Sequence, residues 1–148
     1  MRLWALDIIP YLPRTQMLAL WRELNSIYKN QPRHLLINYV YNDKQALYKY
    51  SLCVIEELKN RHYNIKEQSM SNFRAYFGDL YNKSDLDIPN YRLKILNPFW
   101  YVHTEEYLAM CYFNLKEKYM CQQKDFTKEI WDNLNKHIKF VAIRQQSV

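Results

Sequence analysis

Residues 13–28, PRTQMLALWRELNSIY, place Met17, Leu20, Trp21, Leu24 and Tyr28 three or four positions apart. That spacing lays the five along one stripe of a helix, and Pro13 stands near the first turn, where a proline is tolerated. Working outward toward the N-terminus, Met1–Pro13 carries Pro10 and Pro13 and reads as an extended arm. Toward the C-terminus, Asn30–Pro32 ends the helix, and Leu35–Tyr41 fits either a short strand or the start of another helix. Asp43 is placed to cap a helix reaching about Arg61, with Leu47, Tyr50, Val54 and Leu58 facing inward. A shorter helix is expected over Ser71–Tyr81, with Phe73, Phe77 and Leu80 on one side, followed by a loop over Asn82–Asn97 that includes Pro89. Thr104 caps a helix to about Cys121, striped by Leu108, Cys111, Tyr112, Leu115 and Tyr119. A last helix starts at Asp125 or Thr127 and runs through Phe126, Ile130, Trp131, Leu134, Ile138 and Val141.

The chain has 148 residues, 49% apolar and 24% charged, which is the balance of a folded domain rather than a disordered one. Gly78 is the single glycine. Hairpin turns, dinucleotide-binding loops and phosphate loops lean on glycine, so β-barrel, Rossmann and P-loop architectures are disfavoured. The expected fold is all-α: a compact single-domain bundle of about four to six helices over 1–148, with an extended N-terminal arm. Cys53, Cys111 and Cys121 form no even framework and no CxxC pair, so a reducing, cytoplasmic setting is expected, without a zinc site. No apolar run has the length of a membrane span, and Asp7 and Pro10 interrupt what would be the core of a signal peptide.

The formal net charge is +6, which suits a polyanionic partner because neutralised phosphates release counterions. Two groups of chemical interest lie close in sequence: an α-amine at Met1 and the Glu23 carboxylate. An α-amine has a reference pKa of about 7.7–8.0, so part of it is neutral near pH 7 and able to attack an electrophilic carbon. A carboxylate within reach can move the protons that imine formation requires. Standing alone, Glu23 reads equally as a solvated surface glutamate.

The string Trp21-Arg22-Glu23-Leu24, the opening Met1-Arg2 and the segment Tyr39–Lys66 resemble the pyrimidine dimer DNA glycosylase (phage endonuclease V-like) family. The resemblance is strongest over residues 1–67. Pro98-Phe99-Trp100-Tyr101 is similar to an aromatic motif near that family's C-terminus, and residues 103–148 read as an added helical pair. The resemblance implies a glycosylase and abasic-site lyase that acts as a monomer on damaged double-stranded DNA, with no metal or other cofactor. In that chemistry the N-terminal amine attacks C1′ of the damaged nucleotide and displaces the base as an imine forms. Glu23 assists the proton transfers and the elimination that nicks the strand. Met1 and Glu23 are then the catalytic residues, and Arg2, Arg14, Arg22, Arg33, His34, Trp100 and Tyr101 are candidates for the DNA surface. Arg2 and Arg22 also disfavour a protonated amine beside them. Trp100 and Tyr101 follow Arg92 and Lys94, and rings among cations either stack on bases or anchor a loop.

The chain departs from the family pattern in two ways. Methionine removal normally needs a small second residue, and Arg2 is bulky, so the amine is expected to be that of Met1, with a connection to Glu23 one residue longer. That residue adds about 3.3 Å of extended chain. The family's early histidine is replaced by Gln16. Two other functions fit the composition: a helical DNA-binding protein that kept the fold without the active site, and a partner-binding module unrelated to DNA. Borohydride trapping of an imine on abasic or thymine-dimer DNA marks the first reading, binding such DNA without trapping marks the second, and failure to bind it at low salt marks the third.

Overall fold

In the computed structural model the described residues are 2–87 and 97–139. They hold helices α1 (Arg14–Asn30), α2 (Lys44–Asn60), α3 (Glu67–Phe77), α4 (Glu105–Met120) and α5 (Lys128–His137), joined by short 3-10 turns, with no β-strand among the described residues. The all-α expectation holds. Two compact units are formed, one from Met1–Leu3 with Ala19–Phe99, the other from Trp4–Leu18 with Trp100–Val148.

The first unit is built on α2. The Asp43 carboxylate accepts the Ala46 N–H at 3.0 Å and so satisfies one orphan donor of the first turn. Leu47, Tyr50, Val54 and Leu58 are at most 1% exposed, as their spacing predicts. Against α2 stand Tyr28 of α1 and the α3 rings: Tyr28, Tyr48, Phe73 and Phe77 make a cluster with centroids 5.1–5.9 Å apart. Such pairs add about 0.5–1.5 kcal/mol each beyond their buried area. The phenol of Tyr28 donates to Ser51 Oγ at 2.6 Å, which gives a buried hydroxyl its partner.

Three expectations change here. α3 begins at Glu67 instead of Ser71, because the Lys66 carbonyl accepts the Met70 N–H and the Ser69 hydroxyl, contacts that leave no apolar period to read. It ends at Phe77 because Gly78 turns the chain at φ +47°, and Leu80 is exposed rather than inward. Leu35–Tyr41 is neither strand nor α-helix but a turn leading into a 3-10 helix over Asn38–Asn42, pinned by fully buried Ile37 and Val40. In the expected loop, Lys83–Asp87 forms another short 3-10 helix, where Tyr48 donates to Asp85 at 2.8 Å. Pro89, Arg92 and Lys94 lie outside the described residues. Phe99 is fully buried against Tyr39 and Tyr50, at 5.2 and 5.9 Å, so this member of the aromatic motif anchors a loop.

In the second unit the expected extended arm is folded: Leu6–Tyr11 is a 3-10 helix lying on α4 and α5. The reason is hydrophobic. Leu6, Ile8 and Ile9 are buried there, and the fixed φ of Pro10 is compatible with a tight helical turn. Thr104 and Thr127 cap α4 and α5, accepting the N–H of Tyr107 and of Ile130 at 3.3 Å. Thr127 is thus the start of the last helix. Asp125 instead accepts the Thr15 N–H at 2.6 Å, capping the first turn of α1 from 110 residues away. Tyr119, Phe126 and Trp131 stack across α4 and α5 at 5.0–5.9 Å, while Val141 lies outside the described residues. Cys53 and Cys111 are buried and Cys121 is exposed, all as free thiols. No described helix is long and apolar enough to cross a membrane.

Candidate active site

Glu23 is placed by the way α1 is fastened. Trp21 Nε1 donates to Ser69 Oγ at 3.2 Å, and Asn72 Nδ2 donates to Asn25 Oδ1 at 3.0 Å, so positions two before and two after Glu23 are both tied to α3. At 100° per residue, Glu23 then stands roughly 160° around α1 from each tied position and within roughly 60° of Leu20 and Ile27. Those two are 2% and 0% exposed, which leaves Glu23 half-buried at the margin of the core. Arg22 beside it is exposed.

The chain then turns back. Gln31 leaves α1 in the left-handed region at φ +44°, with its side-chain amide on the carbonyls of Ile27 and Tyr28 at 3.0 and 2.7 Å. Tyr41 donates its phenol to the Pro32 carbonyl at 2.6 Å, and the Arg33 guanidinium lies 4.4 Å from the Tyr41 ring centroid. Lys44 sits 4.7 Å over Tyr76. His34 organises the turn itself: its N–H donates to Asn38 Oδ1 at 2.8 Å, and its Nδ1 accepts the Leu36 N–H at 3.1 Å.

Electrostatics tie these groups together. Burial pushes the Glu23 carboxyl above its ordinary value, while the positive charge of the chain terminus and that of protonated His34 pull it back. Burial also raises the Tyr41 phenol, helped by Tyr76 and Glu23 and opposed by Arg33. Tyr76 is raised by burial and lowered by Arg33. A carboxyl that holds its proton more tightly than usual, in the field of the chain terminus, is better suited than a solvated carboxylate to accept and return a proton.

Residues 1–71 match the model of the pyrimidine dimer DNA glycosylase family. The match takes in Met1-Arg2, Trp21-Arg22-Glu23-Leu24 and Tyr39–Lys66, so the resemblance read from those residues is supported along its whole length. Comparison with curated proteins and with solved structures gives no match. The glycosylase match supports a pyrimidine-dimer-glycosylase-like role in DNA repair with DNA as substrate. Except for Asn72 and Tyr76, every residue described around Glu23 falls inside it.

Within this glycosylase-like segment Arg2, Arg22, Glu23, Arg33 and His34 belong to the first compact unit. Leu3 is fully buried in that same unit. Met1 itself lies outside the described residues. Arg14, Trp100 and Tyr101 belong to the second unit. Arg14 is exposed at the start of α1; Trp100 is 72% and Tyr101 41% exposed, their rings edge to face at 5.6 Å. Gln16, at the family's histidine position, donates to Gln123 Oε1 at 2.8 Å. The sequence does not disclose Tyr76 and Lys44, whose contact joins distant segments, nor Tyr41, which meets Arg33 across a turn of irregular form. Nor does it disclose the Asn25–Asn72 tie, which also joins distant segments.

Proposed function

We propose that this chain is a DNA N-glycosylase with abasic-site lyase activity, using the amine of Met1 as nucleophile and Glu23 as the proton-transfer group. The neutral amine adds to C1′ of the damaged nucleotide, and the base leaves with the electron pair of the glycosidic bond and takes up a proton. Loss of a proton from nitrogen and opening of the sugar ring give the imine. Removal of a C2′ proton then expels the 3′ phosphate by β-elimination, which nicks the strand. Glu23 is suited to these transfers because its carboxyl is raised by burial, and it also offers a negative charge to the sugar cation. Arg2 and Arg22 hold phosphates beside the lesion and Arg33 extends that contact, while in the second unit Arg14 offers a cation and Trp100 and Tyr101 offer faces for stacking.

The observation that carries this reading is the half-buried Glu23 in the field of the chain terminus and His34, inside the segment that matches the glycosylase family. Borohydride reduction in the presence of abasic or thymine-dimer duplex is expected to freeze a covalent complex. Mass analysis of the peptide that carries the DNA is expected to place it on the Met1 amine. Glu23→Gln is expected to slow strand cleavage by about 10²- to 10⁴-fold with binding largely intact. A protein that binds the same duplex and never traps is instead a non-catalytic binder.

A further inference from the structure

A single exposed leucine is ordinary on a protein surface. Leu35 is set apart by where it stands and how it is held. It is 91% exposed, the most exposed large apolar side chain among the described residues, and Leu36 next to it is 44% exposed. The turn that carries them is stiff. The His34 carbonyl accepts the N–H groups of both Ile37 and Asn38 at 2.9 Å, the His34 ring accepts the Leu36 N–H, and the Asn38 amide oxygen accepts the His34 N–H. Fully buried Ile37 roots one shoulder, and Tyr41 bonded to the Pro32 carbonyl fixes the other. An apolar tip is therefore held out at little further cost in chain entropy.

Its surroundings are cationic. Arg33 precedes it, stacked on Tyr41 at 4.4 Å so that its position is set. His34 adjoins it with Nδ1 accepting a backbone N–H, which makes Nε2 the N–H donor of the neutral ring. A protein partner with an apolar groove would have no need of two donors at its rim, whereas phosphates on either side of an opened base step do.

We propose that Leu35 is a wedge that enters the base stack of duplex DNA beside the damaged nucleotide while Arg33 and His34 hold the flanking phosphates. This rests on the glycosylase reading of the Glu23 site and adds to it a residue for opening the duplex. Unstacking costs a few kcal/mol per step, and an inserted leucine replaces the lost stacking with apolar contact. The same insertion has no function on a single strand, where no stack has to be opened.

The test compares wild type, Leu35→Ala and Leu35→Met in two assays. The first is the rate of borohydride trapping on an abasic site in duplex against the same site in a single strand. The duplex-to-single-strand ratio is expected to fall about tenfold or more in Leu35→Ala, a loss of about 1.4 kcal/mol, and to recover in Leu35→Met. The second is the fluorescence of 2-aminopurine placed next to a tetrahydrofuran abasic analogue in duplex, which needs binding but no chemistry. Wild type and Leu35→Met are expected to raise it, and Leu35→Ala to bind with a much smaller rise. An unchanged ratio and an unchanged rise in Leu35→Ala overturn the wedge and leave the lyase standing. If wild type traps nothing, the lyase reading fails and the fluorescence alone decides for or against the wedge. Absence of any rise with wild type overturns it and leaves the leucines as a contact for another macromolecule.

Discussion

At the scale of single residues, Glu23 and His103 both sit where burial works against charge, with opposite consequences for pH. The Glu23 carboxyl is raised by burial, so folding favours its protonated form and its ionisation costs stability. That cost is absent below the ordinary carboxylate range and complete once the pH has risen above the folded-state value. Glu23→Gln is therefore expected to melt above wild type at pH 7 while losing strand cleavage, with the gap closing in thermal melts as the pH falls below the ordinary carboxylate range. Equal melting at pH 7 would show that the carboxylate is not held at a cost. His103 is 5% exposed, stacked on Tyr107 at 4.3 Å, and burial takes its pKa from the usual 6.5 down to about 4. The folded state prefers the neutral ring, so this contribution is present above pH 6.5 and is lost as the pH falls from there to about 4. The loss is on the order of 3 kcal/mol. Denaturant titrations of His103→Phe are expected to show a shallower fall over that window than wild type does.

At the scale of elements, α1 shows what the sequence can and cannot disclose. Its apolar stripe was readable because helix geometry alone brings Met17, Leu20, Trp21, Leu24 and Tyr28 together, and all five are buried. The caps of α2, α4 and α5 were readable because Asp43, Thr104 and Thr127 each reach a backbone N–H three residues away. The cap of α1 was not, since it comes from Asp125 across 110 residues and no local pattern announces it. The folded N-terminal segment escaped because two prolines in an apolar run fit an extended chain as well as a 3-10 turn. Glu23 was marked by resemblance, whereas its raised carboxyl and the Tyr41 phenol in its field follow only from the fold. Burial alone would raise the Asp125 carboxyl, but bonds from Thr15 and Gln123 hold it below its ordinary value. This cap is accordingly at full strength above pH 4 and fails as the pH drops further. Asp125→Ala is expected to cost about 1 kcal/mol, the usual worth of an N-cap. Equilibrium unfolding at pH 7 measures it, and a variant as stable as wild type would show that the long-range cap adds nothing.

At the scale of the whole molecule, a net charge of +6 gives the attraction for DNA, and the placement of cations decides where it is spent. Arg2, Arg22, Arg33 and His34 share a compact unit with Glu23, and the Arg33 guanidinium is oriented by the Tyr41 ring. A phosphate contact of that kind carries no sequence information, so its loss weakens damaged and undamaged duplexes alike. It also has a signature that separates it from a residue needed only for folding. Each phosphate neutralised adds about −0.9 to the slope of log K against log salt. Arg33→Ala is thus expected to make the measured slope shallower by about 0.9 in fluorescence anisotropy titrations from 50 to 200 mM salt. Melting should stay close to wild type, because Arg33 is exposed. Glu23→Gln, by contrast, should leave the slope where it was, since an uncharged amide at that place removes no phosphate contact. A slope that Arg33→Ala does not move would take Arg33 out of the DNA surface and leave its stacking on Tyr41 as support for the turn alone.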